Sequence, residues 1–316
     1  MKLKYIIITL GITVAGIAAC EKVPEGYISD KFAYRPNPFI AMQGLTAYSP
    51  SIEADGSTLP LTVKLLEVRD KSTGKVLDSN DLRPREITTY LAELLPTDTT
   101  LELLNKKLSR GMKRPFEIQE NGGRIILTAG TEYWDTGRYV FDVQVTNIRG
   151  TRTIKNVGEV LLNPKVYYEV VRRTVTTSDN GSETNFQDVY AGGQMPLTID
   201  RDPAGPHRII LKFKDKNGKN FNPKMGEIVY RGDRPHFQKY NPFFKEERTD
   251  STIEFGHPNL AKFPFFMVNN DVSSYYRIPA AFTEAVRNVN ATFSVTFYGG
   301  GTWTLTMHTG VARKPI

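Results

Sequence analysis

The sequence predicts a mainly β protein built as two successive β-rich domains. Three observations predict it. Apolar and polar residues alternate with period two along many short runs. Turn groups rich in Asn, Asp and Gly separate those runs, as between paired strands. The one stretch with helical spacing is short and lies within residues 81–108.

Residues 20–50 read as a tether, because Pro24, Gly26, Pro36, Pro38 and Pro50 punctuate it, while Phe32, Tyr34 and Phe39 imply that part of it packs down. The first strand begins near Leu59. Leu61, Val63 and Leu65 alternate with Thr62 and Lys64, and Leu66 and Val68 then take the opposite phase, which requires a bulge. Leu91, Leu94 and Leu95, and then Leu101, Leu104 and Leu108, recur at helical spacing on either side of Pro96, with Asp98 or Thr99 placed to cap the second piece. Phe116, Ile118, the turn Asn121-Gly122-Gly123 and Ile125–Leu127 carry a hairpin signature.

The most informative stretch runs from Asp135 to Asn147. Tyr139, Phe141, Val143 and Val145 share one face; Asp142, Gln144 and Thr146 share the other. Asp135-x-Gly137-x-Tyr139 before such a strand resembles the tyrosine corner of immunoglobulin-like sandwiches, in which a buried ring ties its hydroxyl to nearby backbone. Residues 51–163 are therefore expected to form an immunoglobulin-like β-sandwich with a small helical insertion.

Asn163-Pro164 marks the boundary to a second, sandwich-like domain, residues 164–316. Its expected strands are Val166–Thr177, Arg208–Lys214, Gly226–Arg231, Ser251–Phe255, Phe263–Val268, Ala291–Tyr298 and Thr302–Thr309, with a short helix over Pro279–Asn288. In the last strand Trp303, Leu305 and Met307 alternate with three threonines, half core and half water.

The N-terminus has the form of a secretory signal, residues 1–19: a basic start at Lys2 and Lys4, an apolar run to Ile17, then small residues. Ile17-Ala18-Ala19-Cys20 resembles the bacterial lipoprotein box, which implies that Cys20 carries the lipid. Cys20 is the only cysteine, so no intramolecular disulfide is available and the fold must rest on its core. No later apolar run approaches the twenty or so residues of a membrane-spanning helix. The basic excess is uneven: residues 201–248 hold 12 Lys and Arg against 6 Asp and Glu. A solvated face of mixed charge is the reading preferred over an anion-binding patch, and nucleic acid is not an expected partner.

Catalytic and metal signatures are absent from the sequence. The four histidines, at 207, 236, 257 and 308, show no ligand spacing, and there is no nucleophile elbow, phosphate loop or dinucleotide fingerprint. No cofactor is expected. Nothing nominates a carboxylate pair for glycoside hydrolysis, whose assembly is tertiary. The remaining asymmetry is aromatic. Residues 164–316 hold 22 Phe, Tyr and Trp, and residues 21–163 hold 11. The surplus gathers in irregular stretches, at Phe237, Tyr240, Phe243 and Phe244 and at Tyr275 and Tyr276. These six are the candidate ligand-binding platforms, with His236, Gln238, Lys239 and Asn241 as polar neighbours; core under long loops is the competing reading.

Cys20 followed by Glu21-Lys22-Val23-Pro24-Glu25-Gly26-Tyr27-Ile28-Ser29, with the tyrosine-corner module and a β-rich second half, resembles a family of Bacteroidetes outer-membrane lipoproteins of unassigned function, of the kind that accompanies glycan-uptake loci. The resemblance implies a lipid-anchored outer-membrane protein, facing either the surface or the periplasm. It implies a non-catalytic carbohydrate-binding or uptake-accessory role, with a polysaccharide ligand and a transporter or other envelope proteins as partners. The alternative is a structural or adhesive envelope module acting through protein contacts; an unrecognised hydrolase stands third.

Overall fold

The computed structural model describes residues 26–181, 183–268 and 271–315. The basic start, the apolar run and Cys20 lie outside the described residues. The chain is mainly β and divides by its contacts into two compact units. One comprises the described residues up to Ile87 together with Gly111–Lys165; the other comprises Thr88–Arg110 and the described residues from Val166.

The first half of the chain carries β1 (Phe39–Met42), β2 (Ala47–Tyr48), β3 (Thr62–Asp70), β4 (Arg85–Tyr90), α1 (Leu101–Lys106), β5 (Leu108–Lys113), β6 (Phe116–Ile118), β7 (Ile125–Leu127), β8 (Gly137–Asn147) and β9 (Gly150–Asn163). In the first unit one sheet has the order β1-β9-β8-β3 and another the order β2-β7-β6. Strands β3, β8 and β9 stand where an immunoglobulin-like sandwich has C, F and G; β2, β7 and β6 stand where it has B, E and D. Val63, Val68, Phe116, Ile125 and Phe141 from both sheets are buried in one core.

The corner between β7 and β8 is built as the motif predicts. Tyr139 is buried, its ring lies 5.1 Å from that of Trp134, and its hydroxyl donates to the carbonyl of Asp135 at 2.6 Å. The bulge read from the change of phase is present too, as a register shift between Leu65 and Glu67 in the β3–β8 ladder. It leaves Leu66 exposed and returns Val68 to the core.

Two expectations for this half change. Residues 39–48 are not tether: β1 pairs parallel with β9 and β2 antiparallel with β7, burying Phe39 and Ala41. The flanking prolines hid a short alternation. In residues 81–108 only α1 is an α-helix, capped by the Thr100 hydroxyl, which accepts from the amide of Leu103. The Leu91 amide bonds to the Lys107 carbonyl instead, extending the β4–β5 ladder. A helix nucleus in so short a segment is costly, so tertiary pairing prevails. Residues 88–110 cluster with the second unit, and Leu104 is fully buried in its core.

The second half carries β10 (Tyr168–Ser178), β11 (Gln187–Asp188), β12 (Leu197–Asp202), β13 (Arg208–Lys214), β14 (Val229–Tyr230), α2 (Phe237–Tyr240), β15 (Glu247–Arg248), β16 (Ile253–Gly256), β17 (Ser274–Ile278), β18 (Asn288–Phe297) and β19 (Thr302–His308). They form two five-stranded sheets, β11-β10-β18-β17-β14 and β12-β19-β13-β16-β15. Phe213 against Tyr276, at 5.5 Å, and Phe297 against Trp303, at 5.0 Å, join the inner faces. Trp303, Leu305 and Met307 are buried and the threonines between them half-exposed, as the alternation requires. The expected helix over Pro279–Asn288 is one 3₁₀ turn, Ala280–Phe282, closed by the Asn288 side chain, which accepts from the Ala280 amide at 3.0 Å. Phe263–Val268 is a loop rather than a strand; only Phe263 and Val268 make isolated bridges.

Replacing Tyr139 by Phe keeps the ring and removes the bond to Asp135. The first domain should lose about 1 kcal/mol, read as a lower midpoint in urea with an unchanged slope. An unchanged midpoint would show that the corner bond does not hold β8 in place.

Candidate functional site

Between β14 and β16 the chain makes the aromatic segment that the sequence singles out. α2 opens it, Asn241-Pro242 turns it, and Phe243 and Phe244 lead into β15. Gln238 holds this fold together. Its Nε2 donates to the carbonyls of Asn241 and Phe244 at 2.5 and 2.8 Å, and its Oε1 accepts from the Glu246 amide at 2.7 Å. Asn241 is wholly buried and donates to the Gly256 carbonyl at 2.8 Å. His236 is buried and stacks on Tyr230, ring centroids 3.6 Å apart. Three of the four polar neighbours are therefore internal fastenings, and only Lys239 is exposed.

The six candidate aromatics part company. Phe237 packs against Phe255 at 5.0 Å and is 2% exposed. Tyr240 is 1% exposed and donates to the Ser273 carbonyl at 2.9 Å; burial raises its pKa. Tyr276 has no exposed surface and stacks parallel on Phe293. These three are core. Each offers its ring to other side chains, so no ligand can stack on it. Tyr275 and Tyr276 do not make one surface, since neighbours along a strand point to opposite faces. Tyr276 faces the core, whereas half-buried Tyr275 lies on the outer face beneath the Arg234 guanidinium. Phe243 is half-buried against Phe265 at 5.9 Å.

Phe244 is different. Its ring covers Gly256, where an added Cβ would stand 2.4 Å from the ring. Only glycine permits this approach of ring to strand. The half-buried ring forms one wall of a cleft of about 360 Å³ between β15, β16 and the start of β13. Arg208 and Glu254 face into it from the outer side of their sheet, paired at 2.5 Å, and Glu254 also accepts from the Thr252 hydroxyl at 2.7 Å. Lys245 and Glu247 complete the polar lining, and His207 closes one end, its Nδ1 accepting from the Gly301 amide at 2.9 Å. The cleft thus combines an apolar ring face with charged donors and acceptors. Among the described residues no group of three or more His, Cys, Asp or Glu is placed to hold a metal.

Phe244 is one of the six rings that the sequence nominates; Arg208, Glu254 and Gly256, which line the same cleft, are not nominated by it. The available signal was Gly256 itself, a glycine at the end of an alternating strand, which marks close approach of another group. Several arginines of the basic stretch 201–248 are engaged within the domain. Arg201 lies over Trp303 and Tyr167, Arg231 chelates Glu183, and Arg248 pairs with Glu246.

No protein-family model matches the chain, and no curated protein matches it. Among solved structures it is similar to a SusE-like, surface-located polysaccharide-binding protein from the heparin utilisation locus of Bacteroides thetaiotaomicron. The identity is 10% over 88% of this chain and 53% of that one, with a TM-score of 0.28. It is also similar to the N-terminal four Ig domains of Dscam1 isoform 4.4, at 12% identity over 90% of this chain and 53% of that one, with a TM-score of 0.22. The chain spans about half the length of each, and at such scores neither likeness bears on its fold or function.

His257, beside the cleft, carries a consequence for stability. It is buried, its Nδ1 accepts from the Asn259 amide at 2.9 Å, and burial followed by the charges of His207 and Arg201 lowers its pKa from 6.5 to about 3. The unfolded chain binds a proton at this residue below about pH 6.5, and the folded chain only near pH 3. Stability supplied by the neutral ring is therefore complete above pH 6.5 and lost as pH falls, at about 1.4 kcal/mol per pH unit. Burial lowers the pKa of His236 as well, with the same sign. The second domain should lose about 2 kcal/mol between pH 7 and pH 5, and His257→Asn should lose distinctly less over that interval. Equal losses would exclude His257 as the source.

Proposed function

We propose that this protein is a non-catalytic polysaccharide-binding lipoprotein of the outer membrane, anchored through Cys20 and binding sugar at the Phe244 cleft of its second domain. The observation that carries the binding reading is the Phe244 ring, held over Gly256 with one face to the cleft and charged groups around it. A pyranose ring presents a face of C–H groups that packs on such an aromatic wall, while its hydroxyls need donors and acceptors at the rim. Arg208 and Lys245 donate; Glu254 and Glu247 accept. The Gln238 fastening holds the wall in place before the ligand arrives, which lowers the entropy lost on binding.

Affinity electrophoresis in gels containing candidate polysaccharides tests the reading. Phe244→Ala should reduce retardation about tenfold, equivalent to about 1.4 kcal/mol. Gly256→Val, which pushes the ring off the strand, should do the same, and Phe244→Ala should leave the second domain folded, with its β-sheet circular dichroism unchanged. Absence of retardation of the native protein by every glycan would favour an envelope module working through protein contacts, and release of reducing sugar would favour a hydrolase.

The anchor rests on the signal-like leader and Cys20, both outside the described residues. No helix among the described residues is long and apolar enough to cross a membrane, whereas acyl chains contribute about 0.8 kcal/mol per buried CH₂. Cys20→Ser should move the protein from the membrane fraction to the soluble fraction. Retention on membranes after a high-salt wash would refute lipid anchoring.

A further inference from the structure

The outer face of the other sheet carries a second recess, of about 220 Å³, where the segment between β16 and β17 folds back over β10 and β18. Its floor is Ser294 and Thr296, outward-facing residues of β18. Phe265 and Phe266 form one wall, their rings at 69° with centroids 5.1 Å apart. Glu169, Lys262 and Asp271 stand at the rim.

Two features distinguish this recess from a gap in packing. The segment that forms it is fastened at several points. Phe263 and Phe297 exchange both backbone hydrogen bonds, at 2.9 and 2.7 Å, and Val268 and Asp271 do the same at 2.9 and 3.1 Å. The buried Tyr240 hydroxyl donates to the Ser273 carbonyl from below. The second feature is Ser294. It is 1% exposed, lines the floor, and its Oγ meets no hydrogen-bond partner within the chain. A buried hydroxyl without a partner destabilises the fold that holds it, by the desolvation it suffers unrewarded. The outward asparagines at the start of the same strand are served: Asn288 donates to the Asp179 carbonyl, and Asn290 donates to Ser178 and accepts from Arg277.

We infer that this recess is a second site, for a single pyranose ring, on the outer face of the sheet that holds β10 and β18. The Phe265–Phe266 wall takes the C–H face, the Ser294 hydroxyl pairs with a ring hydroxyl, and Glu169, Asp271 and Lys262 receive the remaining hydroxyls at the rim. The inference shares its ligand chemistry with the proposed function but none of its residues.

Saturation-transfer NMR on the full protein, with methyl glycosides of glucose, galactose, mannose and glucuronic acid as probes, separates the two. Phe244→Ala should retain transfer from at least one glycoside. Adding Ser294→Ala or the exposed rim change Lys262→Ala should reduce that remaining signal at least fivefold. Ser294→Ala alone should raise the denaturation midpoint of the second domain while lowering transfer, a combination that a purely structural serine would not give. Loss of all transfer in Phe244→Ala would overturn the second site and leave the Phe244 reading standing. Transfer untouched by Phe244→Ala and abolished by Ser294→Ala would do the reverse, and no transfer from any glycoside to the native protein would overturn both.

Discussion

A β-strand cannot choose which way its side chains point, because the pleat sends successive residues to opposite faces. In β18 that constraint acts on ten residues that are all buried. Val289, Ala291, Phe293, Val295 and Phe297 face inward and join the core of the second domain. Asn288, Asn290, Thr292, Ser294 and Thr296 face outward, are equally buried, and are all polar. The strand is therefore covered twice, by an apolar sheet on one side and by loops on the other. Asn288 and Asn290 of that outer stripe take their hydrogen-bond partners from neighbouring segments. Asp179 and Ser178 of the β10 hairpin, Arg277 of β17 and the 3₁₀ turn at Ala280 are those partners.

The same constraint decides which aromatic residues are available to a ligand. Tyr275 and Tyr276 are adjacent, yet one pairs across from Thr292 on the outer face and the other from Ala291 on the inner face. Phe237 and Tyr240 share a single helical turn whose apolar side falls on the core. Phe244 escapes because the chain has by then crossed to the outer side of the second sheet, where Gly256 leaves room for its ring. The polar residues Gln238 and Asn241 supply the bonds that hold this crossing in place.

Charge follows a similar course. Arginines of residues 201–248 are engaged within the domain on aromatic faces and carboxylates. Glu183 alone receives Arg231, Arg234 and Arg277. Arg231 is buried, so its charge would be costly unpaired. The cleft keeps a mixed lining because Arg208 and Glu254 occupy facing strands, which suits hydroxyl groups better than a purely cationic surface would.

Local pattern was enough for the β class, the bulge at Leu65–Glu67, the tyrosine corner at Asp135–Tyr139 and the amphipathic last strand, because each of these is written in residues a few positions apart. It was not enough for the strands at residues 39–48, for the fate of the leucines at 91–95, or for the apparent helix before Asn288. In each case a distant strand or side chain supplied the hydrogen bonds that settled the conformation. For the candidate site, the sequence by itself singled out the aromatic-rich segment, with Phe244 as one of six candidate rings. Only the tertiary structure decided that Phe237, Tyr240 and Tyr276 are core, that Arg208 and Glu254 stand beside Phe244, and that Ser294 lies on the floor of a recess. Composition records how many rings and charges a segment owns, but which of them meet water depends on the partner strands that cover the rest.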